Sequence, residues 1–217
     1  MNKILLNLSI FFLLNGSLVT ELKSKIDNKI IVKVGHTLIT SVDIQNEIVV
    51  NLILNKQEIT QENINNSKNF AIRNLINKKI KRIEINKYEI TDYNKKDLNN
   101  YIEKISKSLN TDKSGLKKIF IENNLDYNSL VEKYETELLW NTLIYFIYKN
   151  QINVNVIEVN NDLEKAIITQ KVNNPEKIKE IKKMILLEKK NKKLNLFSRS
   201  HFSTLENTTN VDFRWKN

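Results

Sequence analysis

The sequence contains no cysteine, one proline and three glycines among its 217 residues. The absence of cysteine excludes a disulfide-bonded scaffold, a cysteine-based zinc site and a thiol nucleophile. Folds made of many short strands need frequent turns, which use glycine and proline, so the scarcity of both favours long helices. The length is sufficient for one domain with a substantial core.

Arginine is also scarce, although the chain is strongly basic. The formal net charge is +10, but only four of the 35 lysine and arginine residues are arginines. Lysine provides charge without the planar group that contacts phosphate or base edges at two points. Nucleic acid is therefore not the expected partner. An exported helical adaptor that binds an anionic lipid or nucleic acid, without catalysis, is kept as the alternative function.

The amino terminus has the pattern of a secretory signal peptide. Lys3 gives a short positive region, residues 4–14 are mostly apolar, and residues 15–17 are small or polar. We predict a signal peptide over residues 1–23, with an uncleaved membrane anchor as the alternative. No later apolar run reaches the length of a membrane span, so we expect no stable membrane span in the mature protein.

The first predicted structure is a β-hairpin over residues 30–40, which read IIVKVGHTLIT. A two-residue turn at Gly35-His36 places Val34 opposite Thr37 and Val32 opposite Ile39. Side chains alternate between the two faces of a strand, so four apolar side chains then point to the same face. These side chains are Ile30, Val32, Val34 and Ile39.

A lone hairpin is only marginally stable in water, so it needs another strand or a helix against it. Residues 210–215 alternate, with Val211, Phe213 and Trp215 on one side. We predict that this tail pairs with the hairpin and that the two ends of the chain close one domain.

Helices are predicted through the middle of the chain, from apolar spacing and from polar residues that can cap the first turn. The second of them covers residues 60–87, with a buried face of Phe70, Ile72, Leu75, Ile76, Ile80 and Ile83. Residues 156–174 have only a weak pattern and are predicted to be a short connector. The predicted helix starts are Thr40 or Ser41 (with Asp43 completing a capping box), Thr60, Thr91-Asp92, Thr111-Asp112, Asp126 and Pro175.

Nothing in the sequence indicates catalysis. We expect His36 to be exposed in the hairpin turn and His201 to lie on the surface or to cap a helix. There is no phosphate-binding glycine loop, no zinc-protease motif and no nucleophile elbow, and no compact carboxylate pair stands out. We therefore expect no enzyme activity, no metal site and no cofactor.

The segment LLWNTLIYFIYKN, residues 138–150, is apolar on almost every side of a helix. Such a helix is either wholly buried or offers a second face to a partner, and the sequence leaves both open. If a face is offered, its aromatic rings supply large contact area at low entropic cost. The candidate binding residues are Phe120, Leu139, Trp140, Leu143, Ile144, Tyr145, Phe146, Ile147 and Tyr148.

The order of these features resembles the SurA family of periplasmic chaperones. Three stretches carry the resemblance: residues 31–40 followed by Asp43, LDYNSLVEKYETELLWNTLI at 125–144, and KKLNLFSRSHFSTLENTTNVDF at 192–213. It covers about residues 28–155 and 174–214. At the hairpin turn, Val34 stands where family members often have asparagine.

The resemblance implies a mostly α fold: a helical chaperone core with a small antiparallel sheet made by the hairpin and the C-terminal strand. Residues 24–155 would be the amino-terminal chaperone region, and residues 175–217 would complete the same domain. Family members commonly carry parvulin prolyl isomerase domains between these parts. The short connector at 156–174 leaves no room for one, so we expect no isomerase activity.

The function implied is that of an ATP-independent periplasmic holdase. Its partners would be unfolded outer-membrane β-barrel proteins, together with the outer-membrane assembly machinery. The nine candidate residues would then contact these clients.

Overall fold

The computed structural model describes residues 28–214 and contains seven α-helices and a three-stranded antiparallel sheet. This confirms the prediction of a mostly α fold with a small sheet. The predicted signal peptide and Trp215 lie outside the described residues. The elements are β1 (Ile30–Val34), β2 (Thr37–Thr40), α1 (Ser41–Leu54), α2 (Gln61–Lys87), α3 (Lys95–Ser108), α4 (Lys113–Glu122), α5 (Tyr127–Tyr148), a 3-10 turn (Lys149–Gln151), α6 (Val156–Gln170), α7 (Pro175–Thr208) and β3 (Val211–Phe213).

The hairpin has the predicted register. Val34 pairs with Thr37 and Val32 pairs with Ile39, and the apolar side chains of these pairs are fully buried. Ile30 is an exception, because its side chain is 46% exposed. The register shifts between Ile30 and Val32, and such an irregularity turns a side chain away from the face that its neighbours share.

The carboxy-terminal strand completes the sheet, as the sequence predicts. β3 pairs with β1 in an antiparallel manner, so β1 is the central strand of the order β2-β1-β3. The backbone N–H of Gly35 donates to the carbonyl of Asn210 at 2.9 Å. The first and last described elements are therefore directly bonded to each other.

Polar caps fix most of the helix starts. Thr40 and Asp43 form the predicted capping box of α1, in which each side chain accepts from the backbone N–H of the other residue. Thr60, Asp112 and Asp126 cap α2, α4 and α5. Each cap satisfies an N–H group that has no partner inside the helix.

The predicted start of α3 at Thr91-Asp92 is wrong. Asn94 caps this helix, and its side-chain oxygen accepts from the N–H of Lys96 at 3.1 Å. The segment before it is held on α5, because the Tyr93 hydroxyl donates to Glu135 at 2.5 Å.

Most of the predicted connector at 156–174 is the helix α6. Asn155 caps α6, and Val159 is buried where α6 packs against α7. Leu163, Ala166 and Ile167 are half-buried, but Val156, Ile157 and Ile168 are exposed, so apolar residues of α6 lie on both its buried and its exposed sides and the sequence pattern is weak. The helix ends at Lys171 in the left-handed conformation, and Pro175 occupies the first turn of α7 as predicted.

Buried side chains form three clusters that share helices. The first lies between the sheet, α1 and α2; the second joins α1, α3, α4 and α5; the third joins α2, α5 and α7. Phe70 belongs to none of them and is 56% exposed, against prediction. It precedes the buried Ile72 by two residues, about 200° around the helix, and so points away from the core.

We expect Gly35→Ala to lower the free energy of unfolding by about 1–2 kcal/mol. Gly35 has φ +53°, and an added Cβ would lie 3.2 Å from Ile83 Cδ1. The measurement is urea unfolding. The matched control is His36→Ala in the same turn, an exposed position where the change should be within about 0.5 kcal/mol. Equal stability of both variants would contradict the strain at Gly35.

The Tyr93–Glu135 hydrogen bond should be visible by titration. Its acceptor carboxylate raises the pKa of Tyr93 from its ordinary 10.0 to about 12, with burial and the charge of Glu135 adding to the effect. Since the folded-state pKa is the higher one, the stabilisation is complete below about pH 10 and is lost as the pH rises toward 12.

Ultraviolet difference spectra between the protein and Tyr93→Phe isolate this titration from that of the other tyrosines. Glu135→Gln should move it back toward the ordinary pKa. An unchanged titration in Glu135→Gln would show that the carboxylate is not its cause.

Candidate functional site

Helix α5 lies at the centre of the helical region and packs against α2, α3, α4 and α7. Its first half is anchored in the second cluster through Leu130, and its second half belongs to the third cluster. Eight of the nine predicted binding residues are on the second half of this helix. Their exposure therefore decides which of them a partner can reach.

Five of the nine predicted binding residues are core residues. Phe120 is fully buried on α4 and packs edge-to-face against Tyr127. The α5 residues face Ile85 of α2 and the aromatic side chains of α7. These α5 residues are largely covered by α2 and α7, whereas Phe120 lies in the second cluster. These five residues are Phe120, Leu139, Trp140, Leu143 and Ile144.

Trp140 shows how completely α7 covers this side of α5. The indole N–H donates to Ser198 Oγ at 2.8 Å, and the ring packs edge-to-face against Phe202 at 6.0 Å between centroids. Both the polar and the apolar parts of the side chain are thus used within the fold. The apolar segment at residues 138–150 therefore mainly forms the contact surface for α7.

Ile147 and Tyr148 are partly buried at the edge of the same contact. Tyr148 stacks on Phe197 with centroids 4.7 Å apart, and its hydroxyl lies 2.9 Å from His201 Nδ1. Burial raises the pKa of Tyr148, and the nearby Tyr88 and Glu84 add to this shift. These contacts assign Tyr148 to the packing of α7 rather than to an open surface.

The sequence suggested a surface or capping position for His201, but the structure places it elsewhere. Its side chain is mostly buried, and its Nε2 is 3.3 Å from Glu84 Oε1 on α2. The Tyr148, His201 and Glu84 side chains thus form a polar chain that connects α5, α7 and α2. Glu84 and His201 are far apart in sequence, so no local pattern marks this contact. His36 is exposed, as predicted.

Tyr145 and Phe146 are the two predicted residues that face outward, with 55% and 53% of their surface exposed. Lys149 Nζ lies 5.7 Å from the Phe146 ring. Beyond the 3-10 turn, Val156 and Ile157 at the start of α6 are even more exposed. We group these four exposed side chains by their position on either side of the 3-10 turn and refer to Tyr145, Phe146, Val156 and Ile157 as the apolar patch.

A cleft of about 320 Å³ lies between α5 and α7, on the side of α5 that carries Asn141. Sequence analysis did not identify its lining, because asparagine occurs throughout the chain. The available signal was spacing, since Asn191 and Asn195 are four residues apart and share one side of α7. The lining residues are Asn141, Ile144, Asn191, Leu194, Asn195 and Ser198.

Residues 28–214 contain neither a metal-binding cluster nor a membrane-spanning helix. No group of three or more histidine, aspartate or glutamate side chains in this range could hold a metal ion. None of the helices in the same range is both long and apolar enough to cross a membrane.

No model of a known protein family matches the chain, and no curated protein matches it. The resemblance to the SurA family therefore remains a prediction.

Trp140 and Tyr145 should respond very differently to truncation. We expect Trp140→Ala to destabilise the protein by about 3–5 kcal/mol, because it removes a buried ring from the contact between α5 and α7. Tyr145→Ala should change stability by about 0.5 kcal/mol or less, since the side chain is exposed. Urea unfolding measures both. A small effect of Trp140→Ala would contradict its assignment to the core.

Proposed function

We propose that this protein is an ATP-independent holdase that binds unfolded polypeptides and has no catalytic activity. The observation that carries the proposal is the apolar patch, in which two aromatic and two aliphatic side chains are exposed on either side of the 3-10 turn. Single exposed apolar residues are ordinary on a protein surface, but a group of them is typical of an interaction site.

The packing of α5 against α2 and α7 holds the exposed rings of α5 in place. The residues next to Tyr145 and Phe146 in the sequence, Leu143 and Ile144, are buried between α2 and α7. The exposed rings are therefore held by a packed helix and do not collapse into the core. A partner then meets a preformed surface, which lowers the entropic cost of binding.

The identity of the clients rests on sequence alone. The amino-terminal pattern at residues 1–23 predicts export, and the resemblance to the SurA family predicts a periplasmic location. Outer-membrane β-barrel precursors are rich in aromatic residues and need protection before they are assembled. We propose them as the clients, and delivery to the assembly machinery as the outcome.

The first test is an aggregation assay. The purified protein is mixed with a urea-diluted outer-membrane barrel protein, without ATP, and light scattering is followed at low and high salt. Suppression at both salt concentrations is expected, because apolar contacts are little affected by screening. Suppression only at low salt would favour the alternative of a basic adaptor for anionic partners. No suppression by the folded protein would contradict the holdase proposal.

A pair of variants tests the patch itself. Tyr145→Ser combined with Phe146→Ser should weaken suppression several-fold without unfolding the protein, because both rings are exposed. Phe70→Ser is the matched control, since this ring is equally exposed but lies on α2. Equal loss of activity in both variants would argue against a specific role for the apolar patch.

A further inference from the structure

We propose that the cleft between α5 and α7 binds the backbone peptide groups of an extended, uncharged polypeptide segment. This inference rests on the proposed function, in which the partners are unfolded chains, and it assigns a separate site to them. The apolar patch would contact client side chains. The cleft would contact the client backbone, which is the same in every sequence.

The first argument is the chemistry of the lining. Ile144 and Leu194 form the apolar part of the lining, while three asparagine side chains and Ser198 supply its polar groups. A side-chain amide carries both donors and an acceptor, as a peptide group does. None of the six described lining residues is charged, so the cleft offers no cation for a phosphate or carboxylate ligand.

The second argument is that these polar groups are available. In the part of the chain that the structure describes, the side chains of Asn141, Asn191 and Asn195 form no hydrogen bond with other protein groups. Ser198 Oγ accepts from the indole of Trp140, which fixes its position and leaves its own O–H free to donate. The cleft thus presents three side-chain amides and one hydroxyl donor that the fold does not use.

The third argument is spacing. Asn191 and Asn195 are four residues apart on α7, which separates their positions by about 6 Å along the helix axis. In an extended chain, peptide groups that point to the same side recur every two residues, at about 6.6 Å. The two amides therefore match the repeat of a strand laid along α7, with Asn141 facing it from α5.

The chain has many asparagines, and contact with solvent is enough to explain any single exposed one. It does not explain why three unpaired amides converge on one uncharged cleft between two helices. Lys192 and Lys193 stand between the two asparagines of α7 in the sequence and are also exposed, but neither lines the cleft.

The test uses a short peptide of valine, threonine and tyrosine, capped at both ends and labelled for fluorescence anisotropy. A second peptide has the same side chains, but alternate backbone nitrogens are methylated, which removes donors and keeps the apolar surface. We expect the methylated peptide to bind the full-length protein about tenfold more weakly. Equal affinity for both peptides, or no binding of the unmethylated peptide, would overturn the proposal.

Variants assign the effect to the cleft. Asn141→Ala combined with Asn195→Ala should weaken binding of the unmethylated peptide about tenfold and leave the methylated peptide nearly unaffected. The matched control is Asn160→Ala combined with Asn161→Ala, two exposed asparagines on α6. Circular dichroism confirms that each variant is folded. Unchanged binding in the Asn141/Asn195 variant would place the peptide elsewhere.

The two proposals can fail separately. If the wild-type protein prevents aggregation but does not distinguish the two peptides, the cleft proposal is wrong and the holdase proposal stands. If it distinguishes the peptides but does not prevent aggregation, the cleft binds backbone groups and the holdase proposal is wrong.

Discussion

The rest of the structure depends on the packing of α7 against α2 and α5. This contact buries one side of α5, encloses the polar chain of Tyr148, His201 and Glu84, and brings β3 to the open edge of β1. A hairpin alone would be only marginally stable, so the sheet requires the strand that α7 delivers. Without the return of α7, the second half of α5 would also be an exposed apolar helix.

The same contact separates the buried residues of α5 from its exposed ones. Nearly every position from Leu138 to Tyr148 is apolar or aromatic, yet the structure uses them in two different ways. Residues that face α2 and α7 are stabilising, and substitution there affects folding before it affects any partner. The outward residues and the neighbouring asparagines contribute little to the packing, and they remain available for recognition.

Local features of the fold could be read from the sequence because they depend on neighbouring residues. The turn at Gly35, the alternation of Val32 and Val34, and the caps at Thr60 and Asp126 all act within a few positions. Features that depend on residues far apart in the sequence could not be predicted in this way. The faint pattern of α6 makes sense only against α7, and His201 is buried because Glu84 and Tyr148 lie beside it. For the candidate site, the sequence indicated the second half of α5 but could not divide its residues between core and surface. It also missed the asparagine cleft, whose members come from two helices.

The position of β1 between β2 and β3 has a consequence for biogenesis. β2 follows β1 at once, but β3 follows only after all seven described helices. While the chain emerges from a ribosome or a translocon, the second edge of β1 has no strand to pair with. An open strand edge can pair with other chains, and long-range strand contacts form slowly. The amino-terminal part therefore cannot reach its final state until nearly the whole chain has emerged, and during that interval a protein proposed to protect others is itself vulnerable to aggregation.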